Sequence, residues 1–196
     1  RSPSRGLGDV YKRQDLYRIY SYKNDFPNYT AESLDLYTEL PTKRMELRAS
    51  NLCNLKCRMC DPLNSVEIAR ETNAVNPLSE VDDLNWQQIM DISTQTTRLF
   101  LTGGEPLLIK KYYDLLDHLI DQNKTEETFL NIFTNCTVYN PKFIDRIVNF
   151  KKVRLNLSID AVGKVAEYQR NGVVWGIIKE NAVKFAALHN IDINIH

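Results

Sequence analysis

The chain has 196 residues, of which 43% are hydrophobic and 26% charged, and this is the composition of an ordinary globular domain. Lys plus Arg and Asp plus Glu each number 25, so the formal net charge is zero, which argues against a strongly basic nucleic-acid-binding surface or attraction to an anionic membrane. The sequence also lacks the run of about 18 apolar residues that predicts a membrane-spanning helix.

The beginning of the chain shows no pattern typical of a folded element. Arg1 to Gln14 (RSPSRGLGDVYKRQ) has no apolar periodicity and resembles a translated sequencing adapter, although a natural flexible terminus is the alternative. Residues 15–43 are rich in tyrosine and predict an irregular lead-in. We therefore expect the domain proper to cover residues 44–196. Because a strand pattern reaches the last residue, we expect that domain to be incomplete at its C-terminal side.

Short β-type runs alternate with helical patterns through the rest of the chain. The predicted strands are Met45–Ser50, Arg98–Thr102, Thr128–Thr134, Val153–Asp160 and Ile191–His196. The predicted helices are Leu84–Ser93, Lys110–Gln122, Pro141–Phe150 and Val174–His189. This alternation predicts right-handed βαβ units and an α/β fold with a parallel sheet.

Two of the predicted strands alternate between apolar and polar residues. Strand Val153–Asp160 carries Arg154, Asn156, Ser158 and Asp160 at its even positions. Strand Ile191–His196 alternates in the same way. Parallel strands that are covered by helices on both faces are usually apolar throughout. The pattern favours a curved sheet or barrel with a polar interior, with chance alternation or an edge strand as the alternative.

Three cysteines follow the first predicted strand: Cys53, Cys57 and Cys60. Three thiolates are one too few for a structural zinc site, whereas on a 4Fe-4S cluster they leave one iron open to another ligand. We expect Lys56 and Arg58 to favour the thiolate form. A zinc site completed by a distant residue and buried cysteines without a ligand remain alternatives. Clustered thiols also predict a reducing, cytoplasmic location.

A glycine pair follows the second predicted strand, in the sequence Gly103, Gly104, Glu105 and Pro106. Glycine permits a positive φ and a close approach of a ligand to the backbone. The carboxylate of Glu105 suits an ammonium donor at the end of the strand. The alternative is a plain strand-to-helix turn, which Gly-Gly and Pro also explain.

The spacing C-x-x-x-C-x-x-C after a β-strand, followed by G-G-E-P after the next strand, resembles the radical S-adenosylmethionine (SAM) superfamily. This resemblance implies that the three cysteines bind a 4Fe-4S cluster and that SAM chelates the fourth iron. It further implies that Gly103–Pro106 contacts the SAM amino group and that Met59 lies near the adenine. The implied fold is a partial (β/α)6 TIM-like barrel, truncated here after about five βα units.

The resemblance extends, with less specific motifs, to the ends of the later strands. It implies that Asn135 lies near SAM, although Cys136 replaces the glycine that many relatives have next. Ser158 and Asp160 are implied to hold the SAM ribose or carboxylate, with a helix N-cap as the alternative. Arg170 is implied to clamp the SAM carboxylate, and the alternative for it is a solvated surface arginine.

The activity implied by the resemblance is reductive cleavage of SAM to a 5′-deoxyadenosyl radical, which abstracts hydrogen from an unknown substrate. A flavodoxin- or ferredoxin-type electron donor is implied as a partner. The cysteine loop is most similar to that of relatives with a C-terminal SPASM or twitch domain, which act in peptide modification or cofactor biosynthesis. The alternatives are a non-catalytic iron–sulfur or SAM-binding module and a zinc-binding interaction domain.

Overall fold

The structure is a computed structural model, and it describes residues 43–195. The predicted adapter segment, the lead-in as far as residue 42 and the final residue of the last predicted strand lie outside the described residues.

Strands and helices alternate along the described chain. The strands are β1 (Arg44–Arg48), β2 (Lys56–Cys57), β3 (Arg98–Thr102), β4 (Phe129–Thr134), β5 (Lys152–Leu157), β6 (Arg170–Asn171) and β7 (Ile191–Ile195). The helices are α1 (Val66–Glu71), α2 (Asp83–Ser93), α3 (Lys110–Asp121), α4 (Pro141–Ile147), α5 (Gly163–Gln169) and α6 (Trp175–Ala186), with a 3-10 turn at Pro106–Leu108. None of the helices described is both long enough and apolar enough to cross a bilayer.

Five strands form one parallel sheet in the order β1-β3-β4-β5-β7. Each strand pairs with the next long strand of the chain, so the order never reverses. A doubly wound sheet contains such a reversal, whereas a barrel-type sheet adds strands in one direction. The predicted α/β fold is confirmed as a parallel sheet of five strands in the order of a TIM-like barrel.

One face of this sheet is apolar and covered by helices. Leu99, Leu101, Ile132 and Leu155 point to that face and are fully buried. Helix α3 presents to the core its side chains one helical turn apart, Tyr112, Leu115, Leu116 and Leu119, all fully buried. This buried face confirms the helix predicted at Lys110–Gln122.

The opposite face of the sheet is polar, as the alternating strands predicted. Asn156 donates to the side chain of Asn131 on β4 and accepts from Asn194 on β7 at 3.0 Å. Arg154 on β5 pairs with Asp192 on β7 at 2.7 Å. The side-chain amides are paired across three strands, which offsets the cost of placing them on a largely enclosed surface.

Two short helices and two short strands were not predicted. Helices α1 and α5 have only six and seven residues, which is too short for an apolar periodicity to be visible. Strands β2 and β6 form a two-residue antiparallel pair in which Cys57 lies opposite Arg170. Pairing over such a sequence distance leaves no local signal, yet it brings the segment after β5 to the cysteine loop.

The hydroxyl of Tyr112 connects helix α3 to the ends of β1 and β3. It accepts from the Ala49 N–H at 3.1 Å and lies 2.7 Å from the Leu47 carbonyl and 2.6 Å from the Thr102 carbonyl, to which it can donate. The ring is fully buried, and burial raises the pKa of the phenol. This hydroxyl therefore anchors the point at which the cysteine loop leaves β1.

We predict that Tyr112→Phe lowers the free energy of unfolding by about 1–3 kcal/mol, because it leaves a buried backbone N–H without a partner. Urea denaturation followed by circular dichroism measures the effect. Tyr168→Phe is the control, since Tyr168 is 63% exposed, and it is expected to change little. Equal stability of the two variants would contradict the anchoring role.

Candidate functional site

The cysteine loop leaves the C-terminal end of β1 and is held by side chains on both of its sides. Asn51 donates to the carbonyls of Pro62 (3.1 Å) and Pro77 (2.8 Å) and accepts from the Ser79 N–H (2.8 Å). Ser65, the N-cap of α1, donates to the Leu55 carbonyl at 2.6 Å. The sequence analysis did not single out Asn51 or Ser65. A serine immediately before a helix is a recognisable cap signal, but the long-range bonds of Asn51 have no local signature.

The three thiols of the loop line one cleft of about 250 Å³. Cys53 is buried, and Cys57 and Cys60 are partly exposed. The cleft also includes Met59, which is 59% exposed at its edge. Thr102, Thr134 and Ser158, at or just after the ends of β3, β4 and β5, also line the cleft. The cleft therefore lies at the C-terminal ends of the parallel strands, where ligands bind in such folds.

Two other clefts of the described residues are larger, at about 520 and 540 Å³. The first lies at the opposite, N-terminal ends of β4 and β5, and the second runs along α6. Neither contains a cysteine. Size therefore does not identify the site here, and the convergence of thiols does.

The grouping of the thiols bears on the kind of cofactor that they can hold. A 4Fe-4S cluster binds each cysteine to a different iron, so its ligands surround a common space. Cys53, Cys57 and Cys60 line one cleft, which suits such a cluster with one iron open to another ligand.

Burial is the main influence on the three thiols. Desolvation raises the pKa of Cys53 to about 11 and also raises the pKa values of Cys57 and Cys60. Without metal the thiols are therefore protonated at neutral pH, and metal binding must release their protons.

The expectation that Lys56 and Arg58 favour the thiolate form of the cysteines is wrong. Lys56 pairs with Glu71 at 3.1 Å. Arg58 lies over the ring of Tyr168 and donates to the carbonyl of that residue. Their side chains turn to neighbouring helices because those helices offer a carboxylate and an aromatic face. Burial raises the pKa of Cys57, and the guanidinium that partly offsets this rise belongs to Arg170.

The glycine pair packs directly on the cysteine loop. Gly103 has a φ of +115°, and a Cβ on Gly104 would lie 2.2 Å from the Leu52 carbonyl oxygen. The Gly104 N–H donates to the Ser50 carbonyl at 3.0 Å and the Glu105 N–H to the Leu52 carbonyl at 2.8 Å. Both glycines line the cleft. They are needed here for the contact between two loops as well as for an open wall of the cleft.

Glu105 and Pro106 lie behind the cleft, not on it, and both are buried. The carboxylate of Glu105 accepts from the Thr134 hydroxyl (2.8 Å), the Asn135 N–H (2.7 Å) and the Leu107 N–H (3.1 Å). Burial raises its pKa to about 7. The sequence predicted a carboxylate at the strand end that could meet an ammonium group. The structure differs, because the Thr134 hydroxyl and two backbone N–H groups already bind this carboxylate.

Asn135 and Cys136 follow β4 and take different positions. Asn135 lines the cleft, with its Nδ2 3.8 Å from the Cys53 sulfur and 3.1 Å from Asn54 Oδ1. Cys136 has a φ of 63°, so it adopts the conformation that glycine would favour. Its thiol is buried and donates to the Ile178 carbonyl at 3.7 Å, and burial raises its pKa to about 12. Cys136 therefore belongs to the core.

The last predicted site residues come from the segment after β5. Ser158 and Arg170 line the cleft. Asp160 stands beside it and holds the Arg170 guanidinium through two contacts of 2.5 and 3.1 Å. The β2–β6 pairing accounts for this position, so Arg170 is not a solvated surface arginine. Its implied contact with a SAM carboxylate stays a prediction.

We predict that Gly104→Ala lowers the free energy of unfolding by about 2 kcal/mol or more, because its Cβ meets a backbone carbonyl that cannot move aside. Gly176→Ala in α6 is the matched control. A Cβ at Gly176 meets nothing within 4 Å, so alanine is expected to stabilise that helix by about 0.5–1 kcal/mol. Urea denaturation of both variants measures the difference, and a neutral Gly104→Ala would contradict the packing described.

We predict a pH dependence of stability from Glu105. Its folded pKa lies above the unfolded value of 4.5, so the folded state binds the extra proton between pH 4.5 and about 7. Stability from this group is full below pH 4.5 and is lost as the pH rises through 7, by roughly 3 kcal/mol in total. Glu105→Gln removes this slope, whatever its effect at a single pH. Parallel pH profiles of variant and wild type would contradict the prediction.

Known proteins with similar sequences or structures indicate the family of this chain. An uncharacterized protein, MJ0103 of Methanocaldococcus jannaschii, is 30% identical over 122 residues, which are 60% of this chain and 28% of that protein. The solved structure of native anSMEcpe with bound AdoMet and the Cp18Cys peptide has a TM-score of 0.58 and 18% identity over 80% of this chain and 42% of its own.

Streptococcus suis SuiB bound to precursor peptide SuiA has a TM-score of 0.58 at 17% identity, over 100% of this chain and 40% of its own. The chain thus spans less than half the length of these relatives. Likeness at such identities shows a shared fold. The radical SAM superfamily model matches residues 47–186, which include the cysteine loop, the glycine pair and every long strand but the last in full or in part. The chain therefore belongs to the radical SAM superfamily, whose members use a 4Fe-4S cluster and SAM.

Proposed function

We propose that the protein to which these residues belong is a radical SAM enzyme that abstracts a hydrogen atom from its substrate. The observation that carries the proposal is that the three thiols of the cysteine loop and the Gly103–Gly104 backbone line one cleft. A pure electron carrier would need a fourth cysteine ligand and no cofactor wall. The fourth cysteine of the chain, Cys136, is in the core, so the donor set has an open position.

Some residues of the cleft would bind the 4Fe-4S cluster and others would bind SAM. Cys53, Cys57 and Cys60 would hold three irons. When bound, the reduced cluster supplies the electron that splits SAM into methionine and a 5′-deoxyadenosyl radical, which takes a hydrogen atom from the substrate. The Gly103–Gly104 backbone lines the cleft without side-chain obstruction, and we assign the SAM ammonium group to this wall. Met59 and Ser158 bound the remaining sides.

We further propose that the substrate is a peptide. The polar face of the sheet ends in the exposed side-chain amide of Asn194, and side-chain amides both donate to and accept from peptide groups. The resemblance of the cysteine loop to relatives with SPASM or twitch domains points the same way. Two structures with the same fold contain a peptide, namely Cp18Cys on anSMEcpe and SuiA on SuiB.

The electron for SAM cleavage must come from outside the chain. Cys57 and Cys60 are partly exposed, so the cluster would lie near the surface, within reach of a docked flavodoxin- or ferredoxin-type donor. A reducing compartment suits these free thiols, and we place the protein in the cytoplasm.

The test uses the full-length protein, loaded anaerobically with iron and sulfide and reduced with dithionite in the presence of SAM. We expect 5′-deoxyadenosine by mass spectrometry, and more of it when a library of synthetic peptides is added. Cys57→Ala is expected to lose both the bound iron and the product. Cys136→Ala is the matched control and is expected to keep both, because its thiol lies in the core.

Three results would count against parts of the proposal. Zinc in place of iron would support an interaction domain. An iron–sulfur cluster without any 5′-deoxyadenosine would support a non-catalytic module. Product formation that peptides never stimulate or couple to a change in peptide mass would refute the peptide substrate while leaving the enzyme class intact.

A further inference from the structure

Two side chains from outside the cysteine loop direct N–H groups at its sulfur atoms. Arg170 Nη1 lies 3.9 Å from the sulfur of Cys57, and Asn135 Nδ2 lies 3.8 Å from the sulfur of Cys53. Both distances are within the range of hydrogen bonds to sulfur. Neither donor is close in sequence to the cysteine it approaches, so the fold alone brings them together.

The position of Arg170 is fixed from two directions. Its backbone pairs with Cys57 in the β2–β6 ladder. Asp160 accepts from Nε and Nη2 of the guanidinium, while Nη1 approaches the sulfur. The side chain is only 17% exposed, so water screens its charge poorly. A largely buried, oriented cation therefore stands beside one cluster ligand.

The orientation of the Asn135 amide is also determined. Its Oδ1 accepts from the Thr137 backbone N–H at 2.9 Å, which only an oxygen can do. The NH2 group must then face Cys53 and Asn54. The Asn135 backbone N–H is held by the buried Glu105 carboxylate, so the donor cannot easily turn away.

Hydrogen bonds to cysteine sulfur and nearby positive charge stabilise the more negatively charged, reduced state of an iron–sulfur cluster, and thereby raise its reduction potential. Lys56 and Arg58 are nearer in sequence, but their side chains are engaged with Glu71 and Tyr168. Among the described residues, the cation that contacts a ligand sulfur is Arg170.

We propose that Arg170 and Asn135 are positioning residues that set the reduction potential of the cluster, with Asp160 moderating the charge of Arg170. The proposal rests on the function proposed above. Reduction adds one electron from the flavodoxin- or ferredoxin-type donor and moves no atom, so the effect of these residues is electrostatic. Removing Arg170 and removing the charge of Asp160 must therefore change the reduction potential in opposite directions, because Arg170 supplies the positive charge and Asp160 partly cancels it.

The experiment is potentiometric reduction of the full-length, cluster-loaded protein, followed by electron paramagnetic resonance without SAM. We expect Arg170→Gln to shift the midpoint potential to more negative values, Arg170→Lys to shift it less, and Asp160→Asn to shift it to more positive values. Arg154→Gln is the matched control, since Arg154 also pairs with an aspartate, Asp192, at 2.7 Å and approaches no cysteine. Its potential is expected to equal that of the wild type.

The opposite signs separate this inference from structural damage, which would move both variants in one direction or reduce their iron content alike. Equal midpoint potentials for the wild type, Arg170→Gln and Asp160→Asn, each with a full cluster, would overturn it. If Arg170→Gln binds no cluster, the midpoint potential of Asp160→Asn remains the test: a positive shift supports the inference, and no shift overturns it. A wild-type protein that forms no 4Fe-4S cluster would overturn the proposed function and this inference with it.

Discussion

The contact between two loop backbones is the constraint on which the site depends. The turn after β3 lies so close to the cysteine loop after β1 that a methyl group at Gly104 would overlap the Leu52 carbonyl. Two backbone hydrogen bonds, to the carbonyls of Ser50 and Leu52, hold this contact. The parallel pairing of β1 with β3 brings the loops to one edge, and glycine allows them to touch.

A second layer of contacts carries this constraint to the next strand. The buried carboxylate of Glu105 accepts from Thr134 and Asn135 at the end of β4, and Asn135 in turn reaches Cys53. Three strand ends are thus joined through one carboxylate to one cysteine. Such a fully bonded buried group positions its neighbours well and costs stability if one partner is removed. Within the G-G-E-P motif, the two glycines accordingly form a wall of the cleft, and Glu105 behind them joins that wall to the end of β4.

The sequence predicted the features that are local. The five long strands and the four helices that were predicted each leave a pattern within about a dozen residues. The cysteine spacing and the glycine pair were visible for the same reason. Their convergence on one cleft followed from the rule that parallel strands share one carboxyl edge.

The features that the sequence did not reveal depend on distant partners. Nothing near Arg170 indicates that a two-residue pairing places it opposite Cys57. Nothing near Lys56 or Arg58 shows that their charges turn away from the thiols. The burial of Glu105 was also unexpected, because two of its three donors, Thr134 and Asn135, lie 29 and 30 residues further along the chain. The cysteine ligands can therefore be recognised from the local motif, whereas the charges around them depend on long-range contacts of the fold.

The central claim is that three cysteines of this loop hold a 4Fe-4S cluster whose fourth iron is open to SAM. Mössbauer spectroscopy of the full-length protein, loaded with ⁵⁷Fe, tests it most directly. The account predicts a four-iron cluster in which one iron differs from the other three and changes its spectrum when SAM is added. Four irons that stay unchanged on addition of SAM, or a protein that binds zinc and no cluster, would contradict it.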